Sequence, residues 1–321
     1  MDPLISIIIP CYNSEGFIAA TINMLLQQDI SECELILVND GSKDNTLSIL
    51  RQYETLHENI RVIDQLNQGV SVARNVGMLA AQGKYIYFLD SDDTLAEGAL
   101  SHFKQVVMEQ LDCQMFLFGY ETRRNGRTCK SYVFPSFDGV TFSGYTLQRS
   151  FLSKKICCHI CSCVYDKTFI LENGLALKPG VKIGEDVLFL LQLMFKVNKA
   201  YYSKRLSFVY QIRDDSVMQG YKSYSLEQYN SQVEFQNFLI PMANRDESLN
   251  KYVNFFLLFS YISNLRHYLH SNFRDNKLNA YFIRDGKIRY KPNFVGSYFY
   301  WLVMKVTMFI PIKLILKILK S

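Results

Sequence analysis

Runs of branched aliphatic side chains alternate with helical spacings along the first third of the chain. Leu4 to Ile9 is apolar except at Ser6 and ends at Pro10, which reads as a central parallel strand covered on both faces. Gly16 to Gln28 places Phe17, Ile18, Ile22, Leu25 and Leu26 at helical intervals. Glu34 to Val38 is a second buried strand, closing in Asn39-Asp40-Gly41-Ser42. A helix over about 44–56, a strand over 60–63, a helix over 71–81 and a strand over 84–89 follow. Strict alternation at this spacing predicts an α/β fold, a doubly wound and mainly parallel sheet flanked by helices. Ligands bind such sheets at the carboxyl ends of the strands. Those ends carry Tyr12, Asp40, Gly69 and Asp90 to Asp92.

Beyond Asp93 the rhythm changes. The spacing predicts a helix over 97–111, strands over 113–118, 160–165 and 201–212, and a helix opening at Gly184-Glu185-Asp186. Residues 120–142 mix Gly, Arg and aromatics and read as strands or loops. From residue 223 onward the pattern is helical. The expected organisation is a first domain over 1–222, with halves 1–95 and 96–222, and a C-terminal helical extension over 223–321. No internal repeat, low-complexity tract or long linker interrupts it.

Composition narrows the picture. Of 321 residues, 49% are hydrophobic and 14% aromatic, enough for a sizeable core. A net charge of +5 is too modest to suggest nucleic acid, yet it permits a basic surface facing anionic lipid. Most of the eight cysteines sit in apolar runs, where a free thiol behaves as a small hydrophobe. Residues 1–6 show no charged leader or cleavage site, so a reducing cytoplasm is expected. Cys157-Cys158-His159-Ile160-Cys161-Ser162-Cys163 superficially resembles a metal knuckle. Its spacing lacks two separated ligand pairs, and it reads as a buried strand with small thiol side chains.

Candidate chemistry centres on Asp90-Ser91-Asp92-Asp93 after the fourth strand. On an extended chain Asp90 and Asp92 leave the same side. Adjacent carboxylates repel unless a cation sits between them, and Mg²⁺ or Mn²⁺ suits oxygen ligands that leave room for substrate phosphates. The alternative is an Asp-rich turn that caps the next helix. Asp40 could accept from a pyrimidine N–H or a ribose hydroxyl with Tyr12 stacked on the base, or it could cap the following helix. Gly69 and Arg74 flank a helix N-terminus, which favours anions such as a diphosphate; an ordinary turn with a surface Arg is the alternative. Asp186 could serve as a general base with Glu185 beside it, or the pair could complement the helix dipole. Arg213, past a strand, could neutralise a leaving diphosphate or form a surface salt bridge.

The tail over 294–321 has no uncharged run long enough to span a bilayer. Beyond Pro311, Lys313, Lys317 and Lys320 fall on one helical face of an otherwise apolar stretch, preceded by Tyr298, Phe299, Tyr300 and Trp301. This fits an in-plane amphipathic membrane anchor; packing on the protein's own body or a dimer contact is the alternative.

Taken together, the segments Ser6-Ile7-Ile8-Ile9-Pro10-Cys11-Tyr12-Asn13, Val38-Asn39-Asp40-Gly41-Ser42, Gly69-Val70-Ser71-Val72-Ala73-Arg74-Asn75-Val76-Gly77, Asp90-Ser91-Asp92-Asp93 and Gly184-Glu185-Asp186 occur in the order seen in family 2 glycosyltransferases. The chain resembles these inverting GT-A enzymes over roughly residues 4–220. The resemblance implies a nucleotide-sugar donor, most often UDP-linked, and Mn²⁺ or Mg²⁺. It implies that Asp40 contacts the nucleobase and that Tyr12 stacks or lies beside it; the candidate donor site as a whole comprises Pro10, Tyr12, Asp40, Gly69, Arg74, Asp90, Ser91 and, from its place past a strand, Arg213. Asp90 and Asp92 then serve the ribose and metal, with Asp92 the direct ligand, and Asp186 is the base. The cysteine-rich segment before Lys167 departs from the family's usual Asn- or Trp-containing pattern, which bears on acceptor contacts.

The expectation is therefore a metal-dependent inverting glycosyltransferase of bacterial surface polysaccharide synthesis. It would use a glycan or lipid-linked glycan acceptor and sit peripherally on the inner face of the cell membrane, with no nucleic acid as partner. A nucleotide-dependent phosphate-group transferase and a non-catalytic nucleotide-sugar-binding scaffold are the competing readings.

Overall fold

The computed structural model describes residues 2–213, 224–271, 278 and 282. The chain divides into two compact units: 1–147, 157–180 and 185–212 form the first, and 148–156, 181–184 and 213–321 the second.

In the first unit, strands β1 (Ile5–Cys11), β2 (Cys33–Asp40), β3 (Ile60–Gln65) and β4 (Tyr85–Phe88) alternate with helices α1 (Ile18–Leu26), α2 (Thr46–Leu56) and α3 (Val70–Ala80). Every residue of β1, β2 and β4 is buried, because helices cover both faces of a parallel sheet and its strands lose their polar alternation. Ser6, the one polar interruption in β1, donates to Glu34 Oε1 at 2.6 Å. The same oxygen accepts the Gln82 and Gly83 amides at 2.6 and 3.1 Å, so the buried polar atoms are paired. Parallel registers run Ile5↔Cys33 to Cys11↔Asn39, Leu35↔Ile60 to Asp40↔Gln65 and Ile5↔Tyr85 to Ile8↔Phe88. They bring the carboxyl ends of β1, β2 and β4 to one edge. Helix α3 lies close on this sheet at Gly77, where a Cβ would stand 2.4 Å from Ile8 Cγ2.

The chain continues through β5 (Thr94–Leu95), α4 (Ala99–Glu109), β6 (Met115–Arg124), β7 (Arg127–Tyr132), β8 (Val140–Ser143), α5 (Gly144–Leu152), β9 (Cys163–Asp166), α6 (Lys167–Glu172), α7 (Glu185–Met194) and β10 (Lys199–Gln211). Among the described residues the sheet has ten strands, ordered β3-β2-β1-β4-β9-β6-β10-β5, with β7 on β6 and β8 on β10. Its first four strands are parallel, as are β6 and β10, while β9 runs antiparallel between β4 and β6. Residues 120–142 contain a hairpin: Asn125 and Gly126, with φ of 50° and 75°, join β6 to β7, the backbone a two-residue turn requires.

One expected strand is half a strand. Residues 160–162 form a 3-10 turn, and β9 begins only at Cys163. The reason is local. The His159 N–H donates to Ser162 Oγ at 2.8 Å, and the Cys161 N–H donates to His159 Nδ1 at 3.2 Å. Side chains here satisfy the amides that a ladder would otherwise take.

In the second unit, helices α8 (Leu226–Arg245) and α9 (Glu247–His270) form the helical pattern read from residue 223. Ser225 and Gln228 close a capping box on α8, and Asp246 Oδ1 accepts the Ser248 N–H at 2.9 Å to start α9. Tyr252, Val253, Phe256 and Leu257 are buried, and Arg149 Nε donates to the Tyr252 hydroxyl at 2.8 Å. No helix of the described residues is long and apolar enough to cross a membrane. The tail expected at 294–321 lies outside the described residues.

Candidate active site

The site grows from the edge where β1, β2 and β4 end. Pro10 is a buried member of β1, in register with Val38. Tyr12, just past that strand, is 47% exposed. Asp40 is buried at the last position of β2. Its Oδ1 accepts from Gln65 Nε2 at 2.7 Å and the Gln68 N–H at 2.8 Å, and its Oδ2 accepts the Gly69 N–H at 2.8 Å. A carboxylate offers about four lone-pair sites, so Asp40 fixes the loop that opens α3 and keeps one acceptor position in hand. Gly69 precedes that helix with φ 89°, a left-handed backbone that glycine adopts without strain.

The turn after β4 is held from three sides. Ser91 Oγ lies 3.0 Å from Ser14 Oγ, and its carbonyl accepts from Thr21 Oγ1 at 2.8 Å. Buried Asp93 takes the Gln211 N–H on Oδ1 at 2.8 Å. Asp92 remains partly exposed. Asp90 turns to α3, where Arg74 Nη2 donates to its Oδ1 at 2.6 Å. Burial would raise the Asp90 carboxyl, but Arg74 beside it brings the pKa below its ordinary value.

Arg74 is itself buried, and its Nη1 reaches Glu185 Oε1 at 3.2 Å. One guanidinium therefore ties the Asp90 turn to the first residue of α7, far along the chain. Its planar fork suits two carboxylates at once. Burial, with Asp186 next to it, pushes Glu185 up to about 7 although Arg74 pulls the other way. Asp186 occupies the second position of α7, where the helix N-terminus favours an anion. Its Oδ2 lies 4.0 Å from His159 Nε2.

The site's remaining wall is aromatic. The His159 ring stacks on Phe208 with centroids 5.1 Å apart and planes 15° apart, and lies 5.7 Å from Tyr210 and 6.2 Å from Tyr120. Buried Cys161 lies beside Asp90 and, after Arg74, helps to lower its carboxyl pKa.

Residues 6–167, about half of the chain, match the sequence profile of the family described as Glycosyl transferase family 2. The chain belongs to glycosyl transferase family 2. Within the family-2 relatives, EpsJ of Bacillus subtilis (strain 168), named an uncharacterized glycosyltransferase, is 29% identical over 262 residues, covering 79% of this chain and 75% of that one. Chondroitin synthase of Escherichia coli is 40% identical over 98 residues, 30% of this chain and 14% of its own. The crystal structure of S. aureus TarS 1-349 in complex with UDP-GlcNAc aligns with a TM-score of 0.65 at 23% identity, covering 87% of this chain and 78% of that one. That likeness shows the shared fold, the GT-A arrangement of a mixed sheet flanked by helices.

In this family 2 chain the structure thus brings Asp90, Arg74 and Glu185 into one chain of contacts, with Asp186 next to Glu185 in α7 and 4.0 Å from His159, and links Asp40 to them through Gly69 and α3. Arg213 is placed two residues past β10 and belongs to the second unit. Sequence reasoning did not find His159, Phe208, Tyr120 or Cys161. From its spacing alone the cysteine-rich run reads as a plain strand rather than a metal knuckle. The cue it offered was the spacing of His159 to Ser162, a polar pair fit for a capped turn.

Proposed function

We propose that this family 2 protein is an inverting transferase that moves one sugar from a UDP-linked donor to a hydroxyl of a glycan or lipid-linked glycan. The single observation that carries the reading is the Arg74 link, which sets the Asp90 turn and the Asp186 helix start against the same buried guanidinium. The UDP-GlcNAc of the TarS complex and the polymer named by chondroitin synthase support a sugar nucleotide and a glycan.

In this reading Asp186 takes the proton of the acceptor hydroxyl. The acceptor oxygen bonds to the anomeric carbon as the bond to the diphosphate oxygen breaks, and the diphosphate leaves with the electron pair. One displacement from the opposite face inverts the anomeric centre. Glu185 positions Asp186, and Tyr12 and Asp40 hold the nucleobase of the donor. Asp92 and Asp90 would hold Mn²⁺ or Mg²⁺, which would neutralise charge on the departing diphosphate. The donor set fits such an ion. Asp90 is kept anionic by Arg74 and Asp92 is partly exposed; since no group of three or more His, Cys, Asp or Glu is placed to hold an ion among the described residues, the protein would supply only these two carboxylates. A hard cation in such a place draws its other ligands from water and phosphate oxygens.

The test is Asp186→Asn in the full chain. Thermal shift against a panel of UDP-sugars with Mn²⁺ is expected to show the same donor stabilisation in variant and wild type. Sugar transfer falls by about 10² to 10⁴ with the base gone. Loss of donor binding in step with turnover would make Asp186 structural.

A further inference from the structure

His159 is held by more than its cap. Its Nδ1 accepts the Cys161 N–H at 3.2 Å. A ring nitrogen that accepts carries no proton, so the neutral ring has its proton on Nε2. The atom facing Asp186 Oδ2, at 4.0 Å, is that same Nε2. The ring cannot turn away freely, being stacked on Phe208 and flanked by Tyr120 and Tyr210. A spacing of 4.0 Å is longer than a hydrogen bond, but such contacts are often long before substrate arrives.

We propose that His159 is a positioning residue for Asp186, its Nε2–H fixing which carboxylate oxygen faces the acceptor hydroxyl. The logic is that of any base oriented by a third group. One oxygen of Asp186 is engaged by the imidazole, and the other is left aimed for proton abstraction. The Cys161 amide sets the tautomer, the aromatic stack sets the ring plane, and the carboxylate inherits both constraints. The cysteine-rich segment thereby acquires a role: its turn carries the histidine. This inference rests on the reading of Asp186 as base.

Long-range ¹H–¹⁵N spectra of the full chain, with no ligand added, read the tautomer. His159, assigned by its absence in His159→Asn, is expected to show a protonated Nε2 and a bare Nδ1. In Asp186→Asn the Nε2 resonance is expected to move. A protonated Nδ1, or an Nε2 resonance indifferent to Asp186→Asn, overturns the pairing. Kinetics of UDP release from UDP-N-acetylglucosamine, with water as acceptor, test the consequence. His159→Asn keeps an acceptor for the Cys161 N–H but has nothing at the Nε2 position. It is expected to lower kcat about tenfold or more, with donor KM changed by less than about twofold, as for a misaimed base. His159→Gln, whose amide nitrogen reaches that position, is expected to recover part of the loss. Wild-type kcat in His159→Asn, with Asp186→Asn inactive, overturns the positioning role and leaves the base assignment standing. Wild-type turnover in Asp186→Asn overturns the base assignment instead.

Discussion

Glu185 is the residue whose charge the fold resists most clearly. Its side chain is 13% exposed and sits between Arg74, which favours the anion, and Asp186, which opposes it. Burial and the neighbouring acid together move its pKa from an ordinary 4.5 to about 7. The folded state therefore holds this proton more tightly than the unfolded chain does. The stability that follows is fully present below pH 4.5 and is lost as pH rises through 7. Glu185→Gln removes the titration. The variant is expected to gain on wild type between those limits, by about 3 kcal/mol at most, since each pKa unit is worth about 1.4 kcal/mol. Urea unfolding of both proteins at pH 4 and pH 8 checks this; a difference in stability that does not change with pH would mean that Glu185 titrates normally.

At the scale of elements, helix α3 packs closely on β1 and β2 at Gly77. A Cβ on Gly77 would meet Ile8 Cγ2 at 2.4 Å and Val38 Cγ2 at 3.3 Å, and both partners lie in fully buried strands. Gly77→Ala gains about 1 kcal/mol of helix propensity but overpacks the interface at a cost of about 1–3 kcal/mol. A net loss of stability is expected, read as a lower urea midpoint. Gly16→Ala, where a Cβ would meet nothing within 4 Å, serves as the comparison and should leave the midpoint nearly unchanged. The parallel half of the sheet was legible because its strands are buried on both faces and read as unbroken apolar runs between amphipathic helices. The 3-10 turn at 160–162 was not. Its apolar and thiol composition suits a strand, and only the His159 and Ser162 side chains, bonding locally, turn it aside. The β6–β7 hairpin carried its signal in Asn125-Gly126, a turn pair hidden among arginines and aromatics.

At the scale of the molecule, topology made the strand-end residues legible, since Tyr12, Asp40 and Asp90 had to share one edge once the strands ran parallel. The link from Asp90 through Arg74 to Glu185 was not legible, because spacing says nothing about which distant helix a buried guanidinium will meet. His159 was further still from view, since it works only through a fold that sets its tautomer. The described residues include no helix long and apolar enough to cross a membrane, and Lys313, Lys317 and Lys320 in their apolar setting are the sequence's candidate for contact with a lipid surface. A lysine near an anionic bilayer contributes about 1 kcal/mol, and apolar neighbours add to it by burial at the headgroups. The full chain is expected to sediment with vesicles containing phosphatidylglycerol, less so as salt rises. A chain lacking residues 294–321 is expected to stay in the supernatant at every salt concentration while keeping the same UDP-sugar stabilisation. Retention of the truncated chain on the vesicles would move the contact to another surface, and failure of both proteins to bind would mean that the acceptor has to reach the enzyme by itself.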